Sequence, residues 1–183
     1  MIIYQVKTPA MLSEFEVTTI LKHWEVDDWL NFTLKEFNER FADSEFHLLT
    51  DKDSNILCVT RINFDFHLEL NHVVYRVSEL VGLVSVEKMK GHAKRLISDV
   101  VLNLKNRGVE CIGFCESGLR PFYEKCGTPV LYDQAHYLKE KPLSEEFDHH
   151  TDDDILDITL SAHLRNLLTG LNKENIGYIL FED

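Results

Sequence analysis

An α+β, mixed α/β fold is what this chain predicts, on three observations. An amphipathic helical segment runs from Ser13 to Phe41, and two short strand-like runs follow at 46–50 and 56–62. Residues 80–127 then pass from an apolar strand through a glycine-bearing loop and a helix to a second strand and a short final helix. Strands ahead of, between and behind helices at these lengths give a sheet layered with helices.

The elements can be justified in order. Ser13 with Glu16 makes a capping box, and Val17, Ile20, Leu21 and Trp24 follow on one helical face. A break near Asp27-Asp28 starts a second helix, whose Trp29, Leu30, Phe32, Leu34, Phe37 and Phe41 form an apolar stripe. Such a stripe reads as core contact or, for some members, as the lining of an acceptor pocket. Phe46–Thr50 and Ile56–Ile62 read as a hairpin joined by the turn-forming Asp51-Lys52-Asp53-Ser54-Asn55. Val73–Val86 reads as one long strand, nearly continuously apolar over Leu80–Val86, as expected of a strand buried on both faces. Ala93, Leu96, Ile97, Val100, Val101 and Leu104 recur at helical spacing up to Gly108, and Cys111–Cys115 form the next strand. Strand-like Val130–Tyr132, His136–Leu138 and Ile155–Leu160 follow, then a helix over His163–Leu171. The closing Ile176–Phe181 is apolar enough to dock as a strand, against this chain or a second subunit of a homodimer.

The 183 residues suit a single domain, with 142–183 forming an acidic loop and C-terminal extension of it. Hydrophobic content of 44% and charged content of 27% are those of a globular protein. The opening Met1–Lys7 is too short and mixed for a signal peptide, and no segment approaches the ~20 apolar residues of a membrane span. A cytoplasmic protein without a membrane partner is expected. Cys58, Cys111, Cys115 and Cys126 are then expected as reduced thiols, and no second C-x-x-C or histidine pair completes a structural zinc site with Cys111 and Cys115. With 31 acidic against 19 basic residues, the net charge of −12 argues against phosphate-driven nucleic-acid binding and suits a cationic partner or simple solubility. The run of Glu145, Glu146, Asp148, Asp152, Asp153 and Asp154 around His149-His150 reads as a solvated loop, with a metal site as the alternative.

The strand–loop–helix step is where chemistry enters. Leu83-Val84-Ser85-Val86 leads into Glu87-Lys88-Met89-Lys90-Gly91-His92-Ala93-Lys94. A helix N-terminus offers unpaired N–H groups and roughly half a positive charge, which together bind phosphate. Gly91 and small Ala93 let the backbone approach closely, and Lys88, Lys90, Lys94 and Arg95 surround the turn with cations.

Lys88-Met89-Lys90-Gly91-His92-Ala93 is similar to the pyrophosphate loop, Arg/Gln-x-x-Gly-x-Gly/Ala, of the GNAT superfamily of N-acetyltransferases. Phe122-Tyr123-Glu124-Lys125-Cys126-Gly127 resembles a second phrase of that family. The 30 residues from Gly91 to Pro121 accommodate the intervening helix and strand. The likeness is close over this central stretch and only a loose plan over residues 1–75. Lys88 departs from the family's arginine or glutamine, keeping the charge without the planar fork.

The resemblance implies a central mixed, mostly antiparallel sheet flanked by helices, acetyl-CoA as co-substrate, and direct transfer of its acetyl group in a ternary complex. The acceptor would be a small-molecule or peptide amine. It also implies that the main chain of Leu83, Val84, Ser85 and Val86 pairs with the pantetheine arm, and that residues 88–94 hold the pyrophosphate. Tyr123 would protonate the departing thiolate, with a phenol pKa of roughly 10 against roughly 8.5 for a thiol. The alternative for Tyr123 is an aromatic in the core. Glu79, on the strand leading to the loop, is the first candidate for the base that takes the amine's proton, ahead of Glu69, His67 and His72. His92 is expected to face solvent or coenzyme, and Ser117 to cap the second helix while contacting the coenzyme. The competing function is a non-catalytic module that senses acyl-CoA or binds another protein on the same fold.

Overall fold

The chain crosses between two packed units at Asn63/Phe64, Leu80/Val81 and Val100/Val101. The protein is described here from a computed structural model over residues 1–141 and 152–181. Its elements in chain order are β1 (Ile3–Lys7), α1 (Glu14–Trp24), α2 (Leu34–Arg40), β2 (Ser44–Thr50), β3 (Ile56–Asn63), β4 (His67–Leu70), β5 (Val73–Arg76) and β6 (Ser78–Ser85). There follow α3 (His92–Arg107), β7 (Cys111–Cys115), α4 (Arg120–Cys126), β8 (Val130–Leu131), β9 (Leu138–Lys141), β10 (Asp154–Asp157), α5 (Ala162–Thr169) and β11 (Gly177–Leu180).

In the first unit the strand order is β1-β2-β3-β6. β1 and β2 pair antiparallel from Ile3↔Thr50 to Lys7↔Phe46, and β2 and β3 from Ser44↔Asn63 to Thr50↔Ile56. The Asp51 carboxylate accepts from the amides of Asp53 and Asn55 and closes the hairpin turn. Ser13 starts α1 with both bonds of the capping box, its hydroxyl accepting from Glu16 N–H and its amide donating to the Glu16 carboxylate. Burial alone would raise the Glu16 pKa; the Lys7 ammonium at 2.6 Å and the Ser13 bonds outweigh it and hold the carboxyl below its ordinary value. Thr33 and Glu36 form a second capping box at α2, and a 3-10 turn at Asp27–Trp29 fills the break between the helices. Phe37, Phe41, Phe46, Leu48 and Val59 make one core with Val17, Ile20 and Leu21; Trp24, Trp29 and Phe32 pack on it. Each fully buried side chain of this size contributes about 1.5–3 kcal/mol. Leu30 and Leu34, expected in the same stripe, are exposed because the second helix begins only at Leu34.

In the second unit, residues Ser78–Leu80 of β6 run parallel to β7, followed by β10 and β8, both antiparallel. A separate sheet has the order β5-β4-β11-β9. Phe66, Leu68, Leu70, Ile112, Ile155, Leu164, Leu168 and Ile179 share the core of this unit.

Several expectations are corrected. Val73–Val86 is two strands: β5 turns back on β4 through Asn71 and His72, both at positive φ, and β6 restarts where Ser78 donates its amide and hydroxyl to Glu110 O. The polar–apolar alternation of 67–70 was itself the strand signal, β4. Ala135–Tyr137 is a 3-10 turn preceding β9, so the strand starts at Leu138. β10 ends at Asp157, whose carboxylate accepts from Leu160 N–H and turns the chain. The C-terminal strand docks between β4 and β9 of its own chain, where a Cβ on Gly177 would lie 2.7 Å from Leu70 and Leu138 carbons. No helix among the described residues is long and apolar enough to cross a membrane.

Candidate functional site

In the first unit, β6 carries a glycine where a strand would normally have a side chain. Gly82 has φ +66, in the left-handed region, and a Cβ there would lie 2.8 Å from the Trp24 indole. The Gly82 carbonyl accepts from Trp24 Nε1 at 2.8 Å. Glycine inside a strand marks a bulge or a close approach, and at Gly82 the close approach is that of the indole. The registered pairing of β6 with β7 covers only Ser78–Leu80, while β6 continues to Ser85. Val81 to Val86 are half-buried, which corrects the expectation of a strand covered on both faces.

Val86 N–H donates to Leu57 O of β3, so strand alternation directs the N–H groups of Ser85 and Leu83 away from β3. Among the described residues, that edge has no registered strand pairing beyond Leu80. The side chains of Val84 and Val86 pack on the aromatic core, and the Ser85 hydroxyl bonds the Cys58 thiol. What β6 can offer a ligand along Leu83–Val86 is therefore largely backbone.

The turn after β6 exposes Glu87, Lys88, Met89, Lys90 and Gly91, with Met89 and Gly91 at φ +63 and +76. Arg95 N–H donates to Gly91 O as the first helical bond of α3, so the amides ahead of it have no partner within the helix. No acidic residue occupies the first turn. Among the described residues, nothing lies within 4 Å of where a Gly91 Cβ would sit. An open turn of positive helix end, free amides and exposed Lys88, Lys90 and Lys94 fits a pyrophosphate. Arg95 is partly engaged elsewhere, donating to Ile2 O at 3.2 Å with Asp99 at 3.7 Å. His92 is half-buried, and among the described residues its Nδ1 has no hydrogen-bond partner.

In the second unit, α4 carries Tyr123 and ends at Gly127 with φ +83, where Gly127 N–H caps Glu124 and Tyr123 carbonyls. Tyr123 is 7% exposed. Burial, then the neighbouring Cys115 and Cys126 sulfurs and the Asp152 carboxylate, push its phenol above the ordinary tyrosine range. The hydroxyl thus keeps its proton across physiological pH.

Ser117 does not cap α4, because neither its 3-10 turn nor the helix has a side-chain cap. Its amide donates to Asp153 Oδ2 at 2.7 Å. Asp153 also faces His136 Nε2 at 3.2 Å. Asp154 is fully buried: Arg120 donates to both of its oxygens, Asp133 N–H donates to Oδ1, and Arg120 reaches Asp133 as well. Burial alone would raise the Asp154 pKa; these bonds outweigh it and hold the carboxyl low. Asp154 is thus a structural ion-pair partner of Arg120 and Asp153 the acceptor of the Ser117 amide, instead of parts of a solvated loop. Residues 145–150 of the acidic run lie outside the described residues.

Glu79 sits on β6 opposite Ile112, close enough to Cys111 to raise its thiol. Of the weaker base candidates, Glu69 receives Lys141 at 3.1 Å, His67 is buried on β4, and His72 occupies the hairpin turn. Cys58, Cys111 and Cys115 are pushed up to about 11, 12 and 11, chiefly by burial. Sequence reasoning missed Gly82 and Trp24; a glycine interrupting an apolar strand run was the available signal.

No family model matches this chain, and no curated protein does. Among solved structures it is similar to a GNAT family N-acetyltransferase of Escherichia coli in complex with coenzyme A. That match has a TM-score of 0.60 and 12% identity over 99% of this chain and 89% of the other. A GNAT family acetyltransferase of Staphylococcus aureus Mu50 matches with a TM-score of 0.52 and 10% identity over 86% of this chain and all of the other. A bacterial toxin matches with a TM-score of 0.56 and 12% identity, over 94% and 97%. At such identities the likeness is one of fold: this α+β chain, with two mixed and mostly antiparallel sheets and five helices among the described residues, has the fold of the GNAT N-acetyltransferases.

Proposed function

We propose that the protein is an acetyl-CoA-dependent N-acetyltransferase that moves the acetyl group directly to a primary amine. The observation that carries this reading is the β6 edge, which among the described residues has no registered strand pairing beyond Leu80 and which leads straight into the acid-free start of α3. Such an edge pairs with an amide-bearing arm, and such a helix start takes phosphate. In this reading the backbone of Leu83–Val86 holds pantetheine and residues 88–94 hold the pyrophosphate. The amine nitrogen attacks the thioester carbonyl, its proton passing to water or to Glu79. The C–S bond then breaks, and the thiolate leaves with a proton from Tyr123, giving an amide and free coenzyme A.

Direct transfer is supported by the thiols. Cys58, Cys111 and Cys115 are buried and their pKa values raised, so they are held as poorly nucleophilic thiols instead of the thiolates an acyl-enzyme would need. The net charge of −12 is compatible with a cationic acceptor and equally with simple solubility. The burial of Tyr123 favours a second reading, a module that binds acyl-CoA without turning it over. Incubation with acetyl-CoA and a panel of polyamines, aminoglycosides, amino acids and peptide amines separates the two. Amine-dependent thiol release with an acetylated product supports the transferase. Tight coenzyme binding without product supports the module, and neither binding nor product rejects both.

A further inference from the structure

The Trp24–Gly82 contact links the end of α1 to the strand edge assigned above to the thioester. Gly82 is the strand residue at which φ turns positive, and its carbonyl is taken by the Trp24 indole. The peptide unit joining Gly82 to Leu83 is planar and trans, so its C=O and N–H point in opposite directions. Fixing Gly82 O against Trp24 Nε1 therefore fixes the direction of Leu83 N–H. That N–H is one of the two that alternation from Val86 turns away from β3.

The indole is itself held. Its ring stacks on Phe46 at 6.0 Å between centroids and meets Phe41 and Trp29 edge-on at 5.7 and 6.0 Å. Gly82 in turn leaves room for it, since a Cβ there would overlap the ring at 2.8 Å. The pair is thus fitted sterically as well as by a hydrogen bond, and a donor so placed reorganises little when charge develops nearby.

We infer that Trp24 is a positioning residue for acetyl transfer: by pinning the Gly82 carbonyl it aims the Leu83 N–H at the thioester carbonyl oxygen. The inference rests on the proposed transferase reading. When the amine attacks, the carbonyl π pair moves onto oxygen, where Leu83 N–H donates to it. When the pair returns, the C–S bond breaks and the sulfur leaves with its electrons. Trp24 touches neither substrate and acts only through the peptide plane.

Two variants test this: Trp24→Phe, and replacement of Trp24 by benzothienylalanine, which keeps the ring shape and substitutes sulfur for the N–H. The readouts are the single-turnover acetyl-transfer rate at saturating acetyl-CoA, using an amine on which the parent is active, and calorimetric affinity for coenzyme A. The rate should fall about 10- to 100-fold in both variants, as for a misplacement within an otherwise intact site. Coenzyme affinity should stay within about threefold, because the pyrophosphate turn is untouched. A rate within about twofold of the parent overturns the inference, as does a loss of affinity equal to the loss of rate. Should Trp24→Phe fail to fold, the benzothienyl variant decides. An active parent with unaffected variants removes this inference alone, whereas a parent inactive toward every amine removes the transferase reading and the inference with it.

Discussion

The starts of α3 and α4 use similar local material, a small residue in a loop entering a helix, to opposite ends. At α3 the first turn holds no acid, Gly91 is open, and three lysines stand exposed around it. At the approach to α4 the protein supplies its own anions. Asp153 accepts the Ser117 amide, and Asp154 grips Arg120 from a fully buried position. Helix starts attract negative charge wherever they occur. The difference teaches that only the start with no carboxylate of its own is left for a ligand's phosphate, while the other is available for fixing a side chain such as Tyr123.

If α4 serves chemistry and α3 serves binding, removing the phenol should separate the two. Tyr123→Phe is expected to slow turnover about 100-fold while leaving coenzyme affinity within about twofold, measured by kcat and by calorimetry. Because its pKa is raised, Tyr123 contributes no loss of activity on the alkaline side until pH exceeds the ordinary tyrosine range of about 10.

Releasing the α4 end should register in stability. The folded pKa of Asp154 lies below its unfolded value, so its contribution is present above the ordinary carboxylate pKa and is lost as pH falls through the folded one. The parent's thermal midpoint should therefore decline below about pH 4. Asp154→Asn should lower the midpoint at pH 7 by several degrees and flatten that decline, with coenzyme affinity of the folded fraction unchanged. An unaltered pH profile of thermal unfolding would show that the ion pair contributes nothing.

The smallest effects belong to the exposed cations of the other end. Lys88→Ala or Lys94→Ala should each weaken coenzyme binding about two- to fivefold and reduce its dependence on salt, since exposed charges are screened over about 8 Å. Calorimetry at two ionic strengths reads both effects. Equal salt slopes for parent and variants would remove these lysines from the binding surface.

What could be read from the sequence was whatever is written in near neighbours. The Ser13/Glu16 capping box, the turn at Asp51 and the helix stop at Gly108 all formed as their local chemistry requires. The succession of strand, turn and helix around Gly91 was legible for the same reason. Thr33 and Glu36 were equally readable and were passed over within an assumed continuous stripe. The acidic run misled because Asp154 is separated by 34 residues from its Arg120 partner, so a desolvated ion pair looked like a solvated cluster. Trp24 and Gly82 lie 58 residues apart, and no local pattern announces a bond between an indole and a strand carbonyl. The glycine alone gave notice that the strand would not be regular. Asn71 and His72 turn β4 into β5, and the expected strand 73–86 breaks further on, where Ser78 is drawn to the Glu110 carbonyl 32 residues away.

The contrast between the helix starts is tested most directly by titrating coenzyme A into the parent, Gly91→Glu and Ser117→Ala, with folding of each checked by circular dichroism. A glutamate at Gly91 puts bulk and negative charge where the pyrophosphate is assigned, and the expected loss of affinity is about 100-fold or more. Ser117 can offer a coenzyme only its hydroxyl, its amide being held by Asp153, so Ser117→Ala should change affinity less than about threefold. Unchanged affinity in a folded Gly91→Glu variant, or a larger loss in Ser117→Ala than in Gly91→Glu, would contradict the account.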